Sequence, residues 1–394
     1  PTPTPIVTST PTLTPTPTHI LTPTSTPIVT PTLTPTPTPT ATPVPTPQIV
    51  IFPDPNLQAA IRQAIGKPIG DIYQSDLVGI TTLNAGNLSI IELTGLESCT
   101  NLTRLWLSSN QIGNISPLSD LTSLTWLALN SNQIGNISAL SGLTKLTNLD
   151  LACNQIGNIS ELSDLTSLTL LDLDSNQVGN ISALSGLTNI TDLDLACNRI
   201  GNISALSSLT RLTSLELGSN QIGNISALSG LTNLTDLDLA CNQIGNISDL
   251  SDLTSLTLLE LGSNQIGNIS ALSGLTNLTD LHLACNQIGN ISALSSLYSL
   301  TLIELDSNQI DDISPLINNP GLGQEDIVDI HGNPLSPDSI SVYIPQLQAR
   351  GLQVLYDVPG PTPTPTQGGC SHSCDCYDCP APTPPPTPTL TLTP

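Results

Sequence analysis

Apolar residues recur along the middle of the chain with a period of 22 residues. Units that read LTSLTWLALNSNQIGNISALSG, LTKLTNLDLACNQIGNISELSD and LTSLTLLDLDSNQVGNISALSG start at Leu121, Leu143 and Leu165, and the unit recurs through Leu297. In the first unit Leu127 and Leu129 alternate with outward-facing neighbours, which is the period of a β-strand. The apolar residues then return at three-residue spacing. The pattern therefore predicts one strand per unit, followed by an Asn-containing turn and an irregular return segment.

A single unit cannot fold alone. Its apolar residues would contribute roughly 10 to 20 kcal/mol if fully buried, no more than the entropy cost of ordering the unit at about 1 to 2 kcal/mol per residue. Stacked units bury both of their faces and pair their strands in parallel, so stability accumulates only along the array.

The consensus L-x-x-L-x-x-L-x-L-x-x-N-x-I-x-x-I-x-x-L resembles the leucine-rich repeat, and the 22-residue unit with N-Q-I-x-x-I-x-x-L resembles the internalin-type class found on bacterial surfaces. This resemblance covers about residues 50 to 358. It implies a leucine-rich-repeat solenoid with a curved parallel β-sheet, an irregular or 3-10 convex side and a helical N-terminal cap. It also implies a cell-surface or extracellular binding module.

The flanking sequence predicts caps and linkers. Asp54 and Pro55 suit the start of a helix that Gly66 ends, and PLSPDSISVYIPQLQARGLQV resembles the closing unit of bacterial leucine-rich arrays, with a last helix and a short strand. The predicted organisation is a Pro/Thr-rich linker at 1–47, a helical cap at 48–75, repeats at 76–318, a degraded repeat and cap at 319–359, a Pro/Thr-rich linker at 360–369, a Cys-rich island at 370–379 and a Pro/Thr-rich tail at 380–394.

The composition of the chain limits the classes of partner and the cellular location that can be expected. The Pro/Thr tracts favour disordered, extended polyproline II, and their Thr hydroxyls suit O-glycosylation in a secreted protein. Seven basic residues face 31 acidic ones, and a net charge of −24 repels nucleic acid. No apolar run approaches the roughly 18 to 20 residues of a transmembrane segment. A chain without Met that begins inside PTPTP indicates a processed or truncated N-terminus.

The central outward strand position predicts an acidic column on the concave face. Carboxylates about 5 Å apart repel by roughly 0.8 kcal/mol in water and about 3 kcal/mol at an effective dielectric of 20. Raised pKa values, bridging by a cation such as Ca²⁺, or a basic partner would each relieve this repulsion; the alternative is that duplication copied one solvated Asp. Asp150, Asp172 and Asp194 are the candidate metal ligands. The column comprises Trp106, Ala128, Asp150, Asp172, Asp194, Glu216, Asp238, Glu260, His282 and Glu304.

Both tryptophans of the chain, Trp106 and Trp126, fall on this face beside Arg104. Aromatic and Arg clusters are common at binding hot spots, and Trp also stacks on sugars. The three residues are therefore predicted to bind a ligand, with protein favoured over glycan. The alternative is that the tryptophans pack under the N-terminal cap.

Asparagines at one phase of the repeat are predicted to form a structural ladder that bonds the backbone of the turns. They are Asn110, Asn132, Asn154, Asn176, Asn198, Asn220, Asn242, Asn264, Asn286 and Asn308. The Asn-Ile-Ser triplets, such as 114–116, match a glycosylation sequon, but we interpret them as turn residues copied by duplication.

The cysteines form two groups. Cys153, Cys197, Cys241 and Cys285 recur every 44 residues, hence every second strand. Their Cα atoms should lie roughly 9 to 10 Å apart, beyond the limit of about 7 Å for a disulfide, so they are expected to be small buried thiols, with a metal or redox role as the alternative.

The island contains Cys370, Cys374, Cys376 and Cys379. Two disulfides of unassigned pairing, a zinc-type site assisted by His372, or intermolecular cross-links would each hold this short segment together.

No catalytic constellation is recognisable. The four histidines are spread over the linker, the column, the degraded repeat and the island, at His19, His282, His331 and His372. We expect no enzyme activity and no resident cofactor unless Ca²⁺ binds the column. The predicted function is a surface adhesion or recognition module whose concave face binds a protein or a glycan. The alternative is a wall, sheath or filament component that associates with copies of itself, with Ca²⁺ as a candidate bridge.

Overall fold

The repeat array forms one parallel β-sheet in which every strand pairs with the next one along the chain. This computed structural model describes residues 48–358, and within that range the sheet contains thirteen strands. They are β1 (Thr82–Asn84), β2 (Arg104–Trp106), β3 (Trp126–Ala128), β4 (Asn148–Asp150), β5 (Leu170–Asp172), β6 (Asp192–Asp194), β7 (Ser214–Glu216), β8 (Asp236–Asp238), β9 (Leu258–Glu260), β10 (Asp280–His282), β11 (Leu302–Glu304), β12 (Ile327–Asp329) and β13 (Gln353–Leu355).

Each strand is three residues long, and its middle residue points into the core. Leu127 of β3 pairs with Leu149 of β4, and Leu149 pairs with Leu171 of β5. All three side chains are fully buried. The first and third residues of each strand therefore point away from the core, onto the concave face.

Short 3-10 turns line the side opposite the sheet. Those that begin at a Ser start where an Asn side chain accepts from the Ser backbone: Asn136 Oδ1, for example, accepts a hydrogen bond from Ser138 N at 2.9 Å. This geometry supports the interpretation of the Asn-Ile-Ser triplets as turns. The 3-10 segments are Leu96–Ser98, Ser116–Leu118, Ser138–Leu140, Ser160–Leu162, Ser182–Gly186, Ser204–Ser208, Ser226–Leu228, Ser248–Leu250, Ser270–Gly274 and Ser292–Ser296.

The asparagine ladder joins successive repeats. Asn132 Nδ2 donates to the carbonyl oxygens of Leu129 at 2.9 Å and of Leu107, in the preceding repeat, at 3.0 Å. Its Oδ1 accepts from Ile112 N at 3.0 Å. One amide thus satisfies backbone groups of two repeats that would otherwise be buried without partners. The predicted structural role of these asparagines is confirmed.

Helix α1 (Pro55–Ile65) caps the N-terminal end of the sheet, followed by α2 (Gln74–Leu77). Asp54 Oδ1 accepts from the backbone N–H groups of Asn56 and Leu57 at 2.9 and 3.0 Å, while its Oδ2 accepts from Ile91 N at 2.8 Å. The same carboxylate therefore starts the helix and fixes it to the first repeat. Gly66 ends the helix in the left-handed conformation at φ 65°.

The C-terminal end is closed by α3 (Ser314–Ile317), a π-helical turn at Ser339–Tyr343, α4 (Ile344–Ala349) and β13. Ile344 and Leu347 of α4 are fully buried. The expected last helix and short strand are both present. Within residues 48–358, the helices are all too short or too polar to cross a bilayer.

Candidate functional site

The acidic column runs along the concave face in the predicted register. Asp150 pairs with Asp172 and Asp172 with Asp194, and the alignment continues through Glu216 to Asp238. Beyond Asp238 the column continues with Glu260, His282 and Glu304. All of these side chains are half-buried.

The column is longer than the sequence pattern indicated. Glu304 pairs with Asp329 of β12, and Asn84 of β1 pairs with Trp106 at the other end. Asp329 escaped the sequence analysis because the repeat that precedes it departs from 22 residues. The sequence signal for this strand is the pair of apolar residues Val328 and Ile330, which lie on either side of Asp329 and are buried.

Backbone hydrogen bonds hold several of the aspartates down on the sheet. Asp194 Oδ1 accepts from Ala196 N at 2.9 Å, and Asp238 Oδ1 accepts from Ala240 N at 2.7 Å. The Asp238 carboxylate also occupies space next to Gly218, where an added Cβ would clash with it. These contacts fix the carboxylates in a row instead of leaving them extended into solvent.

Burial and mutual repulsion raise the pKa values of several carboxylates in the column. Loss of hydration is the main cause of a pKa of about 7 for Asp194 and Glu216, and neighbouring carboxylates add to it. The same causes raise the pKa values of Asp150 and Asp238 to about 6. Raised pKa values are one of the three responses expected from the sequence, and they make these four carboxylates titrate close to neutral pH.

Two histidines lie against carboxylates near the C-terminal end of the column. His282 Nδ1 lies 2.8 Å from Glu304 Oε2 on the adjacent strand, and His331 Nδ1 lies 2.7 Å from Asp329 Oδ1. The hydrogen bond with Glu304 raises the pKa of His282, despite its partial burial. His282 therefore offsets part of the negative charge at this end when it is protonated.

The two tryptophans form an aromatic pair at the N-terminal end of the same face. Their ring centroids are 6.3 Å apart with an interplanar angle of 39°. Arg104, which is exposed, pairs in register with Trp126. Trp126 is 36% exposed, so the N-terminal cap does not enclose it. The structure thus brings together Arg104, Trp106 and Trp126, the three residues that the sequence predicts to bind a ligand.

Comparison with known proteins places the chain among bacterial leucine-rich-repeat proteins. A family model of paired leucine-rich repeats matches residues 122–164, 166–208, 210–252, 254–296 and 276–318, and a single-repeat model matches 98–115. A solved internalin (inlF) of Listeria monocytogenes is 35% identical with a TM-score of 0.75, and the alignment covers 80% of this chain and 95% of that one. The chain belongs to the internalin family.

Two further solved structures agree with this assignment. Internalin C2 (inlC2) of Listeria monocytogenes is 39% identical over 55% of this chain and 98% of that one, with a TM-score of 0.53. A leucine-rich-repeat protein of Leptospira interrogans is 26% identical over 72% and 73% of the two chains, with a TM-score of 0.64. A search of the curated proteins found no match.

The proposed metal ligands of this internalin-family chain lie in consecutive rungs and do not converge. Asp150, Asp172 and Asp194 pair side by side, and among residues 48–358 no group of three His, Cys, Asp or Glu side chains is arranged to hold a metal ion. The register thus places the carboxylates in a line along the sheet instead of around one point.

The repeat cysteines of this internalin-family chain differ from the sequence expectation. Cys153, Cys197 and Cys241 are disulfide-bonded and half-buried, so the prediction that they are buried thiols was wrong. The 44-residue spacing of these cysteines does not by itself reveal this bonding. Cys99, by contrast, is a fully buried thiol, and burial raises its pKa to about 12. The island at 370–379 and the Pro/Thr-rich tracts at 1–47, 360–369 and 380–394 lie outside the described residues.

Proposed function

We infer that this chain is an extracellular recognition module that binds a protein through its concave face and catalyses no reaction. One observation carries this proposal: an aromatic pair, Trp106 and Trp126, lies beside exposed Arg104 on the same open face as a row of half-buried carboxylates. Large aromatic and Arg side chains dominate binding energy at protein interfaces. An extended sheet face also suits a partner of comparable length better than a small molecule.

The charge of the column favours a partner with basic residues. Carboxylates that are held protonated near neutral pH by burial and repulsion gain most from nearby Lys or Arg, which stabilise their ionised form. The aromatic pair would then supply contact area at one end of the interface, while the column would select for charge. Membership of the internalin family supports an extracellular surface location, and the Pro/Thr-rich flanks would act as spacers.

The proposal is tested by probing the full chain against arrays of extracellular proteins and of glycans. The double variant Trp106→Ala/Trp126→Ala should lose binding by more than tenfold, because each substitution removes a large contact area. Tyr298→Ala is the matched control, since Tyr298 is 57% exposed but lies outside the strands. Binding that survives the double variant contradicts a role for the aromatic pair, and binding confined to glycans contradicts the choice of a protein ligand.

Self-association is the second candidate. The repeats present nearly identical surfaces along the array, with the same Asn-capped 3-10 turn recurring at Asn136, Asn158 and Asn180. A uniform surface suits repeated contact with copies of itself. Sedimentation of the full chain over a range of concentrations, with Ca²⁺ and with a chelator, separates the two candidates. A monomer at every concentration and in both conditions argues against the structural role.

A further inference from the structure

The concave face changes in character along the solenoid. Each strand from β4 to β12 carries at least one carboxylate at an outward position, whereas β1, β2 and β3 carry none. Arg104 of β2 is the one Lys or Arg in the thirteen strands of residues 48–358. Both tryptophans also lie in β2 and β3, so duplication of the acidic repeats does not account for this end of the face. The face therefore has a cationic, aromatic end and a long acidic remainder.

The charge of Arg104 is not neutralised by a carboxylate. Its side chain is exposed, and the ion pairs found among residues 48–358 all join other residues. Its neighbours in register are Thr82 of β1 and Trp126 of β3. The first carboxylate of the face, Asp150, lies two strands further along, so the strand spacing alone separates the two by about 10 Å. Because this exceeds the Debye length of about 8 Å, a ligand meets two separate charges of opposite sign.

The aromatic pair lies between these two charges. The ring centroids of Trp106 and Trp126 are 6.3 Å apart. Ala128 pairs with Trp106 on one side and with Asp150 on the other, and it is only 5% exposed. Since its side chain is a single methyl group, its larger neighbours cover it, and the apolar surface at this point belongs to the tryptophan rings. The face is thus cationic at Arg104, aromatic at the pair and acidic from Asp150 onward.

We propose that the partner lies along the concave face as an α-helix in one orientation, with an acidic residue at Arg104, an apolar residue on the aromatic pair and basic residues from Asp150 onward. This proposal deepens the recognition function inferred above and rests on it. Opposite charges at the two ends favour one orientation and disfavour its reverse, in which Lys or Arg would face Arg104. The partner is therefore distinguished by a polarised surface and not by its net charge alone.

The spacing of the strands favours a helix as the partner. Neighbouring strands lie about 4.8 Å apart, and same-face side chains of an α-helix recur every three or four residues, at about 4.5 to 6 Å. Same-face side chains of an extended strand are about 6.8 Å apart and lose this register after two strands, while polyproline II meets only every second strand, at about 9.3 Å per turn. Seven helical residues rise about 10.5 Å, which places the first basic residue seven positions from the acidic one.

Labelled peptides test the orientation on the full wild-type chain. The probe is an Ala-rich helical peptide without Trp, whose face positions, three or four residues apart, are successively a Glu, a Leu and four Lys. It carries a nitroxide, which quenches Trp fluorescence at short range, at either the Glu end or the Lys end. Both tryptophans of the chain lie beside Arg104, so their fluorescence reports on that end of the face alone.

The label at the Glu end should quench the fluorescence severalfold more than the label at the Lys end when each peptide is saturating. Equal quenching from the two ends overturns the proposed orientation, as does stronger quenching from the Lys end. Absence of saturable binding at low salt also overturns the proposal.

A charge-reversal cycle measures the contact at Arg104. A second peptide carries Lys in place of the Glu. Arg104→Glu should lower the preference of the chain for the Glu peptide over the Lys peptide by about two- to fivefold, the size expected of an exposed ion pair. Lys145→Glu makes the same change of charge at an exposed site outside the strands and should leave this preference unchanged.

A preference that is the same in Arg104→Glu and in the wild type contradicts the contact. Both experiments use peptides of defined sequence, whereas the recognition function is tested on protein and glycan arrays with the tryptophan variant. A protein ligand that is lost in the tryptophan variant, together with peptides that show no orientation, would therefore refute the oriented helix and leave the recognition function standing.

Discussion

His282 Nδ1 and Glu304 Oε2 lie 2.8 Å apart across adjacent strands β10 and β11, where a histidine takes a place in a row of carboxylates. Both side chains are about a quarter exposed, at 22% and 27%. The bond raises the pKa of His282, so the folded protein holds this proton more firmly than the unfolded chain does. The pair therefore links the stability of the array to pH.

Removing the histidine should weaken the array only at acidic pH. A raised folded pKa contributes stability that is fully present below the unfolded value of about 6.5 and is lost as pH rises through the folded value. His282→Gln should therefore lower the free energy of unfolding by about 1 kcal/mol at pH 5.5 and by much less at pH 9. Urea unfolding of both proteins at the two pH values measures this. An equal loss at both pH values would show that the ring acts only by packing.

The raised pKa values of Asp194 and Glu216 give the stability of the array a second dependence on pH. It has the same direction as that of His282. Unfolded Asp and Glu lose their protons near pH 4, but Asp194 and Glu216 retain theirs to about pH 7 when folded. The folded state therefore binds more protons between these values, and stability falls as pH rises from about 4 to 7. Most acidic groups in proteins act in the opposite direction.

Asp194→Asn and Glu216→Gln should stabilise the array at pH 8, because they remove a charge that burial disfavours. We expect a gain on the order of 1 kcal/mol each, smaller than the full shift implies because both side chains are partly exposed. The gain should shrink as the pH falls and vanish near pH 2.5, well below the unfolded pKa values of about 4, where the carboxylates are protonated in both states. Thermal denaturation at the two pH values provides the measurement. Asp164→Asn, at an exposed site outside the strands, is the control. A loss of stability at pH 8 in the column variants contradicts the pKa values.

The asparagine ladder allows a comparison of two asparagines in one repeat. Asn198 Nδ2 donates to Leu173 O and Ala196 O, both at 2.9 Å, and its Oδ1 accepts from Val178 N at 2.9 Å. Asn198→Ala leaves these buried groups without partners and should cost about 2 to 4 kcal/mol. Asn202 is exposed and accepts only from Ser204 N, so Asn202→Ala should cost less than about 1 kcal/mol. Chemical denaturation should separate the two variants, and similar losses would contradict the ladder.

The concave face could be predicted from sequence because the repeat fixes its register. Since each 22-residue unit adds one strand, Asp150, Asp172 and Asp194 had to become neighbours, and their mutual repulsion followed from a spacing of about 5 Å. The same reasoning placed the aromatic pair with Arg104. Asp329 was missed because the unit before it is longer, and a pattern of fixed period carries no register across an insertion.

The bonding of the cysteines could not be predicted in the same way. Periodicity gives the spacing of Cys153, Cys197 and Cys241 along the array, but it does not show that these three residues are disulfide-bonded in the folded chain. The raised pKa values also needed the structure, because they depend on how far each carboxylate folds back toward the sheet, as Asp238 does beside Gly218.

A basic ligand should bind the column with a characteristic dependence on pH. Oligolysine is a suitable probe, since it offers cationic side chains without a defined fold. It should bind the full chain more tightly at pH 8 than at pH 5.5, because Asp194 and Glu216, with pKa values of about 7, are ionised only at the higher pH. At pH 6.5, binding should release protons, and calorimetry in buffers of different ionisation enthalpy would detect them.

Two sets of substitutions distinguish binding of oligolysine to the column from its attraction to the overall negative charge of the chain. Asp194→Asn/Glu216→Gln/Asp238→Asn should weaken oligolysine binding at least tenfold at low salt and abolish the proton release. Asp164→Asn/Asp252→Asn removes exposed carboxylates outside the strands and should change binding by less than the column variant. Added salt should weaken both, since the Debye length falls to about 8 Å at physiological ionic strength. Equal losses in the two variants, with no proton release in the wild type, would mean that oligolysine senses only the net charge of −24 and not the column.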